Sequence, residues 1–273
     1  MEFTAVSWNL FHGRDFPPDP ALFTWRSRLL RIEERNETHA QVNRELLEEF
    51  ATVLAGAEWD VALLQECPPR FAEPLAAACG AAAHRVLTSR NSLAPLRTWI
   101  ARHNPDLIAS GEGGSNLTLA RAAIAERREL EIHRGRPERR AMAFTRVELA
   151  GGTQLCVANL HATNDRPDLA TADVLRAAAA AVEWADEAPL LFGGDLNLRP
   201  AEDPGVFERL GEEFGLVGAT GPRAIDHLLA LGLEAIDAPE AWPPERRELP
   251  HGSLRLRLSD HAPVTARFKT GSP

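Results

Sequence analysis

Residues 193–198 read Gly193-Gly194-Asp195-Leu196-Asn197-Leu198 and follow the apolar run Ala188-Pro189-Leu190-Leu191-Phe192. That run is short enough for a buried strand. The two glycines free the backbone to turn sharply at the strand end. Asp195 and Asn197 are two residues apart, so continued extended geometry points both side chains the same way. A carboxylate and an amide projecting together from a buried strand end do little for packing. They suit holding a water or a metal-bound phosphate. An Asx turn closing a strand produces the same string, so its meaning depends on the rest of the chain.

Working outward, other apolar runs also end on polar residues. Residues 3–8 alternate and end at Trp8-Asn9. Asp60 to Glu66 is a buried strand ending on a carboxylate and stopped by Pro68-Pro69. Residues 140–149 and 153–160 are two strands joined by Gly151-Gly152, a hairpin signal, and the second ends in Asn159-Leu160-His161. Residues 223–229 read as a strand with Asp226 inside it, and 254–258 as a half-buried strand followed by Ser259-Asp260-His261. Residues 263–268 form a last strand. His227 should point away from Asp226 if its strand is regular.

Between these strands the period changes. Thr38 with Gln41 makes a capping box, and Val42, Leu46, Phe50, Val53, Leu54 and Ala57 recur at helical spacing after it. A short helix is expected near 71–79, a long alanine-rich one over 167–185 and another over 201–217. Residues 11–36, with Pro17, Pro18 and Pro20, read as a long loop, in which His12, Arg14 and Asp15 read as surface residues rather than a rim of the site. The segment 88–91 and the loop 111–116 are candidates for shaping a pocket. No linker, repeat or charge block interrupts the chain, so residues 1–273 are expected to form one domain of mixed α and β structure.

Composition narrows the function. The net charge of −9 argues against tight, sequence-blind nucleic-acid binding without excluding a local basic patch. Lys269 is the only lysine, and tyrosine is absent. No apolar run approaches the length of a membrane span, and the start has no leader-like pattern. Cys67, Cys79 and Cys156 lack metal-like spacing and read as reduced thiols, so a cytoplasmic location is expected.

The strings Ser7-Trp8-Asn9, Leu64-Gln65-Glu66, Asn159-Leu160-His161, Gly194-Asp195-Leu196-Asn197, Ile225-Asp226-His227 and Ser259-Asp260-His261, in this order, resemble the endonuclease/exonuclease/phosphatase superfamily, whose fold is that of pancreatic-type deoxyribonuclease. The resemblance spans residues 7 to 261. It implies an α/β (α+β) four-layer sandwich of two packed mixed β-sheets flanked by helices, and phosphoester hydrolysis with Mg²⁺ or Mn²⁺. It assigns Glu66 as principal metal ligand with Asn9 beside it and Asp260 near the metal. It makes Asp195 the residue that activates water, with Asn197 fixing its loop and contacting a phosphate oxygen. Asn159, His161 and His261 would contact the phosphate, and Asp226 would orient His261. Oxygen donors suit a hard cation, and a His beside an Asp favours the imidazolium form. A phosphate-contacting tyrosine of the superfamily has no counterpart here.

The expected function is a phosphodiesterase acting by in-line attack of an Asp-activated water, with nucleic acid as a candidate substrate and a monomeric state. The alternative substrate is a small phosphoester or a lipid headgroup. A non-catalytic binding protein fits less well, because the catalytic positions other than the tyrosine are filled.

Overall fold

The structure, a computed structural model, describes residues 1–88, 93–108, 111, 113–133 and 139–270. Of the two segments singled out as pocket-forming, Ser89 to Asn91 and Glu112 lie outside these residues. Period-two alternation decides what each strand face meets. In β1 (Glu2–Asn9), Phe3 and Ala5 face one apolar layer while Val6 and Trp8 face another. β4 (Val61–Cys67) repeats the pattern with Val61 and Leu63 against Ala62 and Leu64. Strands that are apolar on both faces must be covered on both.

β1 and β4 lie parallel. With β5 (Ala82–Leu87), β6 (Ser115–Ala120), β12 (Leu233–Ala235), β13 (Glu240–Ala241) and β16 (Val264–Thr270) they form a mixed sheet in the order β12-β16-β1-β4-β6-β5, with β13 also on β16. The second sheet holds β7 (Ala123–His133), β8 (Arg140–Glu148), β9 (Gln154–His161), β10 (Leu190–Asp195) and β11 (Asp226–Leu231) in the order β11-β10-β9-β8-β7. Its parallel pair is β9 with β10. The sheets meet through Phe3, Leu63, Val157, Leu191, Leu228 and Phe268.

Helices cover the outer faces. Phe50 of α2 (Leu47–Ala55) and Leu75 of α3 (Ala72–Cys79) pack on the Trp8 face of the first sheet. Val174 and Ala178 of α6 (Pro167–Ala185) and Leu210 of α7 (Pro204–Phe214) pack on Phe192 and Cys156 of the second. The four layers are therefore helix, sheet, sheet, helix. Cys67, Cys79 and Cys156 form no disulfide among the described residues. No helix among the described residues is long and apolar enough to cross a membrane.

Local readings fail where elements are short. The expected loop 11–36 contains α1 (Trp25–Leu30), whose Thr24 Oγ1 accepts from the Ser27 amide at 3.0 Å. Six residues are too few to show a helical period. Thr38 and Gln41 do not cap a helix. They belong to the hairpin of β2 (Glu34–Arg35) and β3 (Ala40–Gln41), where Asn36 Oδ1 accepts from the amides of Thr38 and His39 in an Asx turn. The helix starts later, at Leu47. The segment after α3, unassigned from sequence, supplies β5, α4 (Ala94–His103) and α5 (Pro105–Ile108). A second hairpin, β14 (Glu248–His251) with β15 (Leu254–Arg257), precedes the last strand.

Gly193 and Gly194 lie inside β10 rather than in a turn after it. A Cβ on Gly193 would stand 2.3 Å from the His227 carbonyl oxygen, and one on Gly194 2.0 Å from that of Leu160. Gly194 also has φ of +124°, which side chains avoid. The pair lets β9, β10 and β11 close up. Gly194→Ala should therefore cost at least about 2 kcal/mol in a denaturant unfolding experiment, and a midpoint equal to the parent's would contradict this account.

Candidate active site

The two parallel pairs carry the strand C-termini of both sheets to one end of the sandwich. Along each inner face the residues change from apolar to polar toward that end. Phe3 and Ala5 give way to Ser7 and Asn9, and Leu155 and Val157 to Asn159 and His161. β11 runs antiparallel to β10, so its first residue, Asp226, pairs opposite Asp195.

Asn159 does not reach the cleft. It is fully buried one layer below. Its Oδ1 accepts from Gln65 Nε2 at 2.8 Å, and its Nδ2 donates to the carbonyls of Leu64 (3.3 Å) and Leu117 (3.2 Å). These bonds tie the sheets together and leave its amide occupied, which corrects the phosphate contact expected for it.

Asp195 lies at the centre of the site and is 2% exposed. Asn9 Nδ2 donates to its Oδ2 at 2.9 Å, while Asn9 Oδ1 accepts from the Phe11 amide at 2.9 Å. His161 Nε2 and His261 Nε2 stand 3.6 and 3.9 Å from the same Oδ2. Its Oδ1 accepts from the Asn197 amide at 3.2 Å, an Asx turn, so the bland and the chemical readings of this stretch coexist. Asn197 leaves extended geometry, with φ of +52°, and its Nδ2 donates to the Ala162 carbonyl at 3.2 Å. The two side chains therefore do not project side by side. Asn197 instead pins the loop after β10.

By strict alternation Glu66 would follow Ala62 and Leu64 into the helix layer. A register shift after Leu64 and a φ of +47° at Glu66 send it to the cleft instead. There Oε2 lies 3.2 Å from His12 Nε2 and Oε1 3.9 Å from His161 Nε2. His12 is buried and part of the site, and Asp15 is buried too, accepting from the Val42 amide at 3.0 Å. The surface-loop reading of both is wrong. Phe11 and His12 adopt left-handed φ, which folds the chain back on the strand end. The signal available in the sequence was proximity, since His12 follows Asn9 by three residues. Arg14 packs its guanidinium 3.8 Å over the Phe11 ring.

His261 Nδ1 pairs with Asp226 Oδ2 at 2.7 Å, and its Nε2 is 3.9 Å from the exposed Asp260. Its loop is held from behind by groups that sequence reasoning missed. Arg247, buried, donates through Nη1 to the carbonyls of Leu258 (2.9 Å), Ser259 and His261 (3.0 Å). Trp8 Nε1 donates to the His261 carbonyl at 3.0 Å, and Ser259 Oγ to the Asn9 carbonyl at 2.6 Å. An arginine twelve residues before Ser259, across a hairpin, carries no local signal. His227 points away, as expected, with Nε2 3.1 Å from the Leu198 carbonyl.

Burial divides the charges. It raises the Asp195 carboxyl above the usual range, helped by Asp226. It raises Glu66 to about 7, with Asp260 adding to it. Burial opposes a cation at His261, but Asp226, Asp195 and Asp260 together outweigh it and hold that imidazole up at about 10. His161 is pushed well below its ordinary value by burial, with Arg140, His261 and His12 adding to it. Arg140 Nη1 lies 3.3 Å from His161 Nδ1, and an arginine only donates. The neutral ring therefore carries its proton on Nε2, toward Asp195 and Glu66.

Asp195, Asp226 and His261 place one ligand atom each within 4.8 Å of one another. Within this cluster His261 Nδ1 is already paired with Asp226 Oδ2 at 2.7 Å. Glu66 and Asp260, near enough for Asp260 to raise the Glu66 carboxyl, and Asn9 Oδ1 are hard oxygen donors of the kind a divalent cation takes. A carboxyl raised by burial and a like-charged neighbour is what an added cation would relieve, so these residues fit a divalent metal.

The His261–Asp226 pair can be tested through stability. The folded value of His261 lies above its unfolded 6.5, so the pair stabilises fully below about pH 6.5 and loses that contribution as pH rises through about 10. Asp226→Asn should lower unfolding stability at about pH 6, and this deficit should shrink by about pH 10.5. Urea unfolding of both proteins at the two pH values measures the difference, and a deficit independent of pH would remove the ion pair from the account.

A family model described as "Endonuclease/Exonuclease/phosphatase family" matches residues 6–261. Among solved structures the chain is similar to an endonuclease/exonuclease/phosphatase from Beutenbergia cavernae (TM-score 0.67, 16% identity, 99% of this chain and 72% of that one). It is similar to the mannosyl-6-phosphatase Bt3783 of Bacteroides thetaiotaomicron (0.66, 13% identity, 98% and 99%) and to the human Nocturnin catalytic domain (0.62, 16% identity, 99% and 95%). No curated protein sequence matches. The chain belongs to the endonuclease/exonuclease/phosphatase family, whose members hydrolyse phosphoester bonds.

Proposed function

We propose that residues 1–273 act as one divalent-metal-dependent phosphodiester hydrolase domain. The observation that supports this most is the convergence of Asn9, His161 and His261 on one oxygen of the buried Asp195. Asn9 fixes that carboxylate, leaving it to position a water and take its proton. A carboxyl raised by burial is a better base than an ordinary one. His261, kept cationic by Asp226, donates from Nε2 to a non-bridging phosphate oxygen as negative charge grows. His161, neutral and held by Arg140, presents its Nε2 proton to the same phosphate. Asn197 holds the loop that carries Asp195. Glu66, Asn9 and Asp260 would hold Mg²⁺ or Mn²⁺. When bound, the ion supplies charge neutralisation at the phosphate and the leaving oxygen.

Nucleic acid strands fit a phosphodiesterase, while the acidity of the chain favours a small phosphoester or a lipid headgroup. The mannosyl-6-phosphatase neighbour adds a phosphomonoester to the list. A panel of single-stranded and plasmid DNA, RNA, phosphatidylinositol phosphates and sugar phosphates, each with Mg²⁺ or Mn²⁺, separates these. In every case activity should vanish in excess chelator and return with the metal. Turnover surviving chelation would remove the metal from the proposal.

Asp195→Asn tests the base. Turnover should fall at least about 10²-fold. Because ionised Asp195 is disfavoured by burial in the fold, the neutral amide should leave the melting temperature unchanged or raise it. Near-normal turnover with a lowered melting temperature would reduce Asp195 to a turn residue.

A further inference from the structure

Large apolar side chains are not exposed evenly. Eight of the eleven that are exposed among the described residues fall in 23–30 or 93–107, on α1, α4, α5 and the residues beside them. Trp25 is 67% exposed and Trp99 60%, and Leu29, Leu30 and Leu96 are each more than half exposed. The segments are joined. Asn104, which follows α4, donates from Nδ2 to the Arg28 carbonyl of α1 at 2.9 Å, and its Oδ1 accepts from Asn43 at 2.6 Å. α5 lies next to α4 and reaches the active-site loop through Asp106, 3.8 Å from Arg14.

The charges on these helices are one-sided. α1 carries Arg26 and Arg28, and α4 carries Arg97, Arg102 and His103, with no acidic residue in either, although the chain as a whole has a net charge of −9. Among the described residues none of these four arginines lies within ion-pair distance of a carboxylate. Of the acids near these helices, Asp106 of α5 is buried and turned inward to Gln41 Nε2 at 2.8 Å, and Glu34 is half-buried and accepts from Thr24 Oγ1 at 2.7 Å.

We infer that α1 and α4 form a docking face for an anionic lipid bilayer. Exposed tryptophan interleaved with arginine is the composition of an interfacial segment: the rings and aliphatic chains enter the headgroup boundary and the guanidinium groups meet lipid phosphates. Elsewhere the acidic surface is repelled by such a membrane, so attraction requires a local patch in which basic groups outnumber exposed carboxylates. A single-stranded nucleic acid would use the arginines and tryptophans by stacking. It would gain nothing from Leu29, Leu30 and Leu96, which outnumber the two rings. A second copy of the chain is disfavoured because a two-fold contact sets this patch on itself, arginine against arginine. The inference stands on the surface alone and is independent of the catalytic reading.

The full chain is tested by flotation with vesicles of phosphatidylcholine and with vesicles containing roughly one third phosphatidylserine, at about 0.1 M salt. Binding should appear on the anionic vesicles and weaken at high salt. Trp25→Ala with Trp99→Ala, and separately Arg26→Glu with Arg28→Glu, should each weaken it at least about tenfold. These positions are exposed, so both variants should keep the parent's melting temperature and its rate on a soluble phosphodiester. Absence of binding to anionic vesicles overturns the inference, as does equal binding by the variants. So does binding of a single-stranded oligonucleotide, lost in both variants, by a protein that ignores vesicles, or a dimer in light scattering that the variants dissolve. A parent without phosphoesterase activity would sink the proposed function and leave the vesicle result standing.

Discussion

The structure depends on keeping one carboxylate dry and correctly aimed. An ionised group buried as deeply as Asp195 is costly unless its oxygens are satisfied. Here one oxygen takes the Asn9 amide and the other the Asn197 backbone. Asn9 is itself fixed by the Phe11 amide, and Ser259 bonds to the Asn9 carbonyl. The loop before the last strand is thus referenced to the first strand, and His261 arrives at Asp195 because of that anchorage. The close approach of three strands at Gly193 and Gly194 puts the carboxylate within reach of groups from the other sheet.

The two sheets solve the same problem in the same way. Each has a parallel pair, β1 with β4 and β9 with β10, and each pair delivers two polar residues to one end of the sandwich. The inner faces are apolar below and polar above, with the Gln65–Asn159 bond marking the transition. This layer joins the two sheets beneath the site, although Gln65 Oε1 takes no hydrogen bond among the described residues. It also makes the relative position of the sheets a condition of activity, since Asn9 and Glu66 sit on one and His161 and Asp195 on the other.

Two opposite protonation states of histidine emerge from these surroundings. His261 faces three carboxylates and holds its proton, whereas His161 faces Arg140 and stays neutral. The same residue type is therefore given different electrostatic duties by its neighbours rather than by its own position in sequence.

The sequence by itself determined the strands that carry Asn9, Glu66, His161 and Asp195. Apolar runs closed by Asn9, Glu66, His161 and Asp195 are local patterns, and burial on both faces makes them unmistakable. It also determined the family, because six short strings in one order leave little freedom. It could not determine that Asn159 turns inward, since residues 159 and 161 share a face and only the depth of the opposing sheet separates floor from cleft. It could not show that Glu66 escapes its alternation through a bulge, or that His12 and Arg247 join the site. Those placements come from a left-handed backbone at Phe11 and His12 and from a hairpin folding back over ten residues. They are decided by hydrogen bonds between groups far apart in the chain, which only the packed tertiary structure brings within reach.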